Sequence, residues 1–274
     1  VPGEPSLSCP ESFIIIPFLI GGLFSPPEGV ILWRRKRRES AMESVPIGGY
    51  IPTSFLDYPG AAAAVVFLKG CPFRCPFCHN PELVIPGIGG ESFECDEILG
   101  DLERRKNFLD GVCVTGGEPT ASEGLISFLE KIRSTGLRIK LDTNGARPDV
   151  LEEVLDRGLA DYAAMDVKAS REKYPLASGW KGDLSLVEKS ISLLLRSGIP
   201  FEFRTTLVPG IHGLEDAPGI GDLVRGAPLY VLQRFRPGNT LDAAFSEADP
   251  MPAWFAEAFR ERVLSFTGEV RIRG

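Results

Sequence analysis

FLKGCPFRCPFCHNPELV, residues Phe67 to Val84, puts three of the chain's six cysteines within eight positions and follows the last with a histidine. The stretch leading into it, AAAVVFLKG (Ala62–Gly70), is short, apolar, partly β-branched and ends on glycine, which predicts a buried strand. The cysteines therefore lie where a strand gives way to a loop. A structural zinc site takes four ligands, typically from two separated knuckles, and here there is a single knuckle. A disulfide would leave one of Cys71, Cys75 and Cys78 over, and the scattered Cys9, Cys95 and Cys113 do not form a secreted framework. An iron–sulfur cluster fits better, because thiolates are its usual ligands. Three thiolates on a four-iron cube leave one iron open to a substrate. Zinc stays as the second reading and chance spacing as the last.

Outward from this loop, short apolar runs alternate with amphipathic stretches. FECDEILGDLERRKNFLD reads as a helix with Ile98, Leu99 and Leu102 on one face, and GVCVTGG as a strand broken by paired glycines. SEGLISFLEKIRSTG is a helix with Ser122 as its cap and Gly136 as its stop. LRIKLDT, DYAAMDVK, PFEFRTTLV and PLYVLQRF read as strands, the last as the end of the series. RPDVLEEVLDRG, SLVEKSISLLLRSG and PAWFAEAFRERVLSF read as helices, with Pro148 in the first turn of the first. About six such alternations predict a parallel sheet with helices outside it. CPFRCPFCHN, TGGEPT, DTNG, DVK and VPGIH all follow strands, and ligands collect at the C-terminal ends of parallel strands. Five segments would then meet at one mouth.

With 274 residues, 43% of them hydrophobic, the chain can bury a substantial core. A net charge of -7 argues against a nucleic-acid partner, despite the local RRKRR at Arg34–Arg38. FIIIPFLIGGLF (Phe13–Phe24) is short for a membrane span and contains Pro17, and its positive charges follow rather than precede it. Residues 1–45 are expected to be an extension outside the core, disordered or a mis-called start, with Met42 as the natural first residue. A weak membrane-surface anchor is the alternative. Residues 46–274 form the expected domain.

The Cys71-x3-Cys75-x2-Cys78 motif, with Phe77 before its last cysteine, resembles that of the radical S-adenosylmethionine (radical SAM) enzymes. TGGEP (Thr115–Pro119) is similar to the superfamily's Gly-Gly-Glu-Pro motif. CHN, LDTNG and MDVK narrow the resemblance to activators of glycyl-radical enzymes. GGYIPTSFLDYPGAAAAVVFLKGCPFRCPFCHNPELV with YVLQRFRPGNTLD looks most like the anaerobic ribonucleoside-triphosphate reductase activating proteins, in the subgroup similar to pyruvate formate-lyase activating enzyme. The likeness covers roughly Ile47 to Leu241.

This resemblance implies an α/β fold, a partial (β/α)6 TIM-like barrel. It implies that Cys71, Cys75 and Cys78 hold a 4Fe–4S cluster whose open iron takes S-adenosylmethionine. One electron, from reduced flavodoxin or ferredoxin, then yields methionine and a 5′-deoxyadenosyl radical. That radical abstracts hydrogen from a backbone glycine of a partner, anaerobic ribonucleotide reductase, with no side chain acting as general base. Around the cofactor the resemblance places Phe77, Gly116, Gly117, Glu118, Asp142, Asn144, Asp166, Lys168 and His212, with Asp142 also beside a monovalent cation. Glu118 and the adjoining backbone would meet the methionine amino group. The ordinary readings are a polar turn for LDTNG, a surface ion pair for Asp166 and Lys168, and a structural role for His212. His79 is a candidate for the cluster's surroundings, and Arg204 and Gln233 for the barrel interior; Cys95 and Cys113 are not expected to be ligands. The implied enzyme is cytoplasmic, with no membrane partner. Another glycyl-radical partner, a small-molecule radical SAM enzyme and a non-catalytic metal module are the rivals.

Overall fold

The structure, a computed structural model, describes residues 45–87 and 92–274, so the expectations for the extension before Met42 fall outside the described residues. Eight strands form one sheet in sequence order: β1 (Ile47–Ser54), β2 (Ala63–Leu68), β3 (Gly111–Gly116), β4 (Arg138–Thr143), β5 (Tyr162–Asp166), β6 (Phe201–Leu207), β7 (Leu229–Arg234) and β8 (Glu269–Arg273). β1 pairs antiparallel with β2, and every later neighbouring pair is parallel. β1 and β8 are the two edges, so the barrel is partial.

The helices are α1 (Pro81–Val84), α2 (Cys95–Arg105), α3 (Leu125–Ser134), α4 (Pro148–Asp156), α5 (Tyr174–Ser178), α6 (Leu184–Arg196), α7 (Ala217–Leu223), α8 (Ala243–Ser246) and α9 (Ala253–Val263). In α3 the buried side chains are Leu125, Phe128, Leu129 and Ile132, one stripe at helical spacing. Ser122 does not cap it: Gly124 holds the cap position, and the buried Ser122 hydroxyl has no partner among the described residues. Pro148 opens α4 as expected, where its missing N–H is not needed.

β2 is buried along nearly its whole length, as a strand covered on both faces must be. Burying each of its Val and Leu side chains contributes on the order of 1.5–3 kcal/mol. On β4 to β6 the inward face is polar instead. Lys140 pairs with Tyr162 across β4–β5, and Asp166 with Arg204 across β5–β6. Deep inside, Glu202 takes two hydrogen bonds from Arg273 of β8, each 2.8 Å, and one from the Tyr162 hydroxyl at 3.1 Å. A polar interior of this kind costs stability unless every group is paired. The side chains at the upper ends of these strands form the wall of a cavity.

Candidate active site

Past β2 the chain passes Gly70, whose φ of 92° lies in the left-handed region, and enters the loop of Cys71, Cys75 and Cys78. The end of β3 clamps this loop from one side. Gly117 N–H donates to Leu68 O at 2.8 Å, and Glu118 N–H to Gly70 O at 2.7 Å. A Cβ on Gly117 would lie 2.1 Å from Gly70 O. Thus the close approach that the paired glycines allow is to the chain leading into the cysteines. From a second side, Arg74 N–H donates to Ser178 O of α5 at 2.8 Å. Phe73 meets Tyr174 edge-on, with ring centroids 6.4 Å apart.

The segment after β7 braces the third side. Leu241 N–H donates to Cys78 O at 3.0 Å and Asp242 N–H to Pro76 O at 2.8 Å. Phe77 packs edge-on against Phe245 at 6.5 Å. His79 stacks on Phe235 at 5.6 Å, and its Nε2 lies 2.9 Å from Arg236 O. It therefore sits beside the cysteines with its ring held in place.

All three cysteines line one cavity of about 260 Å³, together with Phe77, His79, Gly116, Gly117, Glu118, Asp142, Asn144, Asp166, Lys168 and Arg204. Cys71 Sγ accepts from Phe73 N–H at 3.4 Å and from the Asn144 side-chain amide at 3.5 Å. Both donors suit a thiolate. Burial pushes the Cys71 thiol up to about 12 and the Cys75 thiol up to about 11, so a metal group bound there would have to drive their deprotonation. Among the described residues, no three Cys, His, Asp or Glu side chains converge as one metal ion would need. Three thiol side chains lining one cavity from a single loop are a donor set that fits an iron–sulfur cluster. Cys95 and Cys113 are not in the cavity wall; Cys113 is buried on β3, where Lys140 Nζ approaches its sulfur at 3.6 Å.

The opposite wall is a chain of charges. Arg204 Nη1 donates to Asp142 at 3.1 Å and its Nε to Asp166 at 2.8 Å. Lys168 bonds the other Asp166 oxygen at 2.8 Å, and Lys140 bonds Asp142. Lys140 does not itself line the cavity; it stands behind Asp142 as a third cation of the network, while the wall's Arg204 and Lys168 balance Asp142 and Asp166. Burial works to raise both carboxyls, but Arg204 with Lys140 holds Asp142 below the usual carboxylate range, and Arg204 with Lys168 does the same for Asp166. Burial works against the Lys168 ammonium, and Asp166 outweighs it. The ordinary reading of Asp166 and Lys168 as a surface ion pair therefore fails, since both belong to an interior network that lines the cavity.

Two expected residues behave differently. The Glu118 side chain, 1% exposed, accepts from Thr120 N–H and hydroxyl, the Thr143 hydroxyl and Asn144 N–H. Burial pushes its carboxyl up, and these bonds oppose the shift. Its oxygens are engaged by the chain itself rather than offered to an amino group. His212 is not in the cavity wall. Its Nδ1 accepts from Val208 N–H at 3.0 Å and its Nε2 lies 2.9 Å from Lys168 O, so the ring ties the β6 loop to the β5 loop. Sequence reasoning missed Lys140; the Lys-x-Asp step within LRIKLDT, which puts both on one strand face, was the available signal. Thr206, also missed, lines the cavity with the anticipated Gln233, and both line an adjoining pocket of about 330 Å³.

Residues 65–218 match the Radical SAM superfamily. A Methanocaldococcus jannaschii protein named "Putative glycyl-radical enzyme activating enzyme" is 35% identical over 75% of this chain and 86% of its own. A pyruvate formate-lyase-activating enzyme of Listeria monocytogenes is 30% identical over 56% of this chain and 65% of its own. Among solved structures, Streptococcus suis SuiB bound to precursor peptide SuiA superposes with a TM-score of 0.57 at 12% identity, over 77% of this chain and 48% of that one. Coproporphyrinogen III oxidase from Escherichia coli gives 0.54 at 14% identity, over 74% of this chain and 51% of that one. These two share the fold, and the chain spans about half the length of each.

Proposed function

The chain belongs to the radical SAM superfamily and to its glycyl-radical-enzyme activating family, and from that premise we propose that its substrate is a backbone glycine of an anaerobic ribonucleoside-triphosphate reductase. Members of the superfamily use a 4Fe–4S cluster and S-adenosylmethionine, which together supply one-electron cleavage of the sulfonium and abstraction of a hydrogen atom. The observation that carries the reading is the convergence of three loop cysteines and an interior charge network on one cavity at the strand ends.

In this reading Cys71, Cys75 and Cys78 hold the cluster, and Phe73 N–H and the Asn144 amide stabilise the Cys71 sulfur. Lys168 and Arg204, fixed by Asp166 and Asp142, orient a carboxylate-bearing ligand. Glu118 acts from behind by fixing Asn144. Phe77 and the Gly116–Gly117 turn shape the cluster side. His212 acts on the cofactor only through the Lys168 loop. The adjoining pocket at Thr206 and Gln233 is where a polypeptide would pass towards the cofactor. The monovalent cation implied beside Asp142 does not fit there, because the carboxylate already meets Lys140, Arg204 and the Thr115 hydroxyl.

Reduced flavodoxin or ferredoxin supplies the electron, and thiols of this kind belong in a reducing, cytoplasmic setting. Among the described residues no helix is long and apolar enough to cross a membrane. Residues 46–274 are the working unit. The test is anaerobic reconstitution of the full chain with iron and sulfide, reduction with dithionite, and addition of S-adenosylmethionine. The expected product is 5′-deoxyadenosine, and a glycyl radical should appear by electron paramagnetic resonance (EPR) on the anaerobic reductase. A radical on pyruvate formate-lyase instead would move the partner assignment to that class. Zinc in place of iron, with no 5′-deoxyadenosine, would overturn the activity altogether.

A further inference from the structure

The pocket of about 330 Å³ that adjoins the cavity is walled by Arg234, Arg236 and Arg273, and no acidic side chain lines it. In a chain of net charge -7 that is an unexpected concentration of positive charge. Register builds the site. Thr206 of β6 pairs with Gln233 of β7, and Gln233 pairs with Arg273 of β8, so the three stand in one row across the strand ends. Arg234 closes β7, and Arg236 follows it. Thr206, Gln233 and His79 line both the cavity and the pocket, so the two spaces meet at these side chains. Arg273 already gives both Nη groups to the buried Glu202, at 2.8 Å each. Arg234 donates its Nε to Gly274 O at 2.9 Å, and its Nη groups have no partner among the described residues. The exposed Arg236 side chain has none among them either, while its main-chain O holds His79. The Gln233 side-chain oxygen accepts from the Thr206 hydroxyl at 3.4 Å, which leaves the amide nitrogen to donate. With Arg273 neutralised by Glu202, two uncompensated guanidiniums share the pocket and repel one another, a cost that an anionic ligand removes.

Given the function proposed above, on which this inference rests, we propose that the pocket takes an acidic side chain of the polypeptide substrate, an Asp or Glu within a few positions of the reacting glycine. A guanidinium fork matches carboxylate geometry, and its paired N–H donors fix direction as well as position. At the meeting place of the two spaces, the Gln233 amide suits a main-chain carbonyl and the Thr206 hydroxyl oxygen a main-chain N–H. An extended chain advances about 3.3 Å per residue and turns alternate side chains to one side. The acid can therefore sit in the pocket while the glycine lies at the cofactor. A phosphate would also satisfy the arginines. A polypeptide is favoured because the pocket meets the space where a main chain must arrive, and because it offers amide and hydroxyl partners for one. Arg234 and Arg236 bind the partner and take no part in the chemistry.

The full chain is reconstituted anaerobically with iron and sulfide, loaded with S-adenosylmethionine and left unreduced, so that binding is read without turnover. The probes are labelled glycine-containing peptides that place one glutamate at successive positions on either side of the glycine, each beside its glutamine counterpart. Affinities are taken from fluorescence anisotropy. At the matching position the glutamate peptide is expected to bind wild type about tenfold more tightly than the glutamine peptide, and added salt should narrow the gap. The preference should fall to near parity when Arg234→Gln and Arg236→Gln are combined. It should persist when Arg104→Gln and Arg157→Gln are combined, which removes two exposed cations that line neither space. Equal iron content in each variant shows that its fold is intact. Equal affinities for every glutamate peptide and its counterpart, or a preference that survives loss of Arg234 and Arg236, would overturn the inference and leave the proposed function intact. So would binding of inorganic phosphate that depends on the two arginines, with no preference among the peptides; the pocket would then belong to a phosphate ligand. Dithionite reduction of the same loaded protein tests the proposed function separately, and absence of 5′-deoxyadenosine would overturn both.

Discussion

Glu118 holds Asn144 at the cysteine loop: its carboxylate accepts the Asn144 main-chain N–H at 2.6 Å, while the Asn144 side-chain amide reaches Cys71 Sγ at 3.5 Å. One buried acid thus joins the ends of β3 and β4 and fixes a donor to the Cys71 sulfur. Glu118→Ala strips acceptors from two threonine hydroxyls and two N–H groups at once. One such buried orphan costs about 1–3 kcal/mol, so a total loss of about 3–5 kcal/mol is expected in urea unfolding. Glu118→Gln keeps one acceptor oxygen and should lose less than half of that. A Glu118→Ala chain as stable as wild type would show that the carboxylate holds nothing together.

Arg204 stands between Asp142 and Asp166, and removing it leaves two mostly buried carboxylates with one lysine each and, for Asp142, the Thr115 hydroxyl. Breaking such a network from one side costs about 3–5 kcal/mol, and Arg204→Met should fall near the lower end because Lys140 and Lys168 remain. The sign with pH follows from the lowered carboxyls. Their contribution is present above the ordinary aspartate value near 4 and is lost as pH falls through the folded values. The gap between wild type and Arg204→Met should therefore be widest near neutrality and close in acid. Combining Arg204→Met with Asp142→Asn and Asp166→Asn should cost less than the sum of the single changes. Strict additivity of the three would contradict a shared network.

What was legible in the sequence was what periodicity and spacing carry. The Cys71–Cys78 motif marked the end of β2, and the polar segments after each strand marked the mouth where the cavity lies. β8 was not legible, because EVRIR alternates charge with single apolar residues and faces a polar interior that contains Glu202. β1 preceded the expected series for a related reason: it is a half-exposed edge. Glu118 and His212 were correctly placed at strand ends, but position along the chain does not reveal where a side chain's hydrogen bonds are spent. Tyr174 gave no signal at all, since a tyrosine in REKYPLASG differs in nothing from a surface residue until the fold buries it.

Among the described residues, the three loop cysteines and the two outside the cavity should separate cleanly in iron content. Cys75→Ala removes a buried thiol proposed as a ligand and is expected to retain no cluster after anaerobic reconstitution. Cys95→Ala, on α2 and away from the cavity, should load iron as wild type does. Exposure to air should strip iron from the wild-type protein, and anaerobic reconstitution should restore it. Iron and sulfide analysis before and after each step checks all three. Iron retained in Cys75→Ala would remove that residue from the ligand set.

His212 should give the protein a measurable pH slope near neutrality. Its Nδ1 already accepts a hydrogen bond from Val208 N–H, so protonating that nitrogen would set two donors against each other. Burial, the leading cause, lowers its pKa below the ordinary histidine value. The unfolded chain therefore binds a proton more readily than the folded one, and stability rises with pH wherever that holds. The contribution is complete above the unfolded value near 6.5 and is lost as pH falls below it, at no more than about 1.4 kcal/mol per pH unit for one proton. Between pH 5 and 7 this slope lies above the range in which Asp142 and Asp166 titrate. The only other histidine in the sequence, His79, is exposed. Urea unfolding of wild type and His212→Gln across that range should show the slope in wild type and its reduction in the variant. Equal slopes would mean that the proton goes elsewhere, and that the ring's two backbone contacts do not govern its titration.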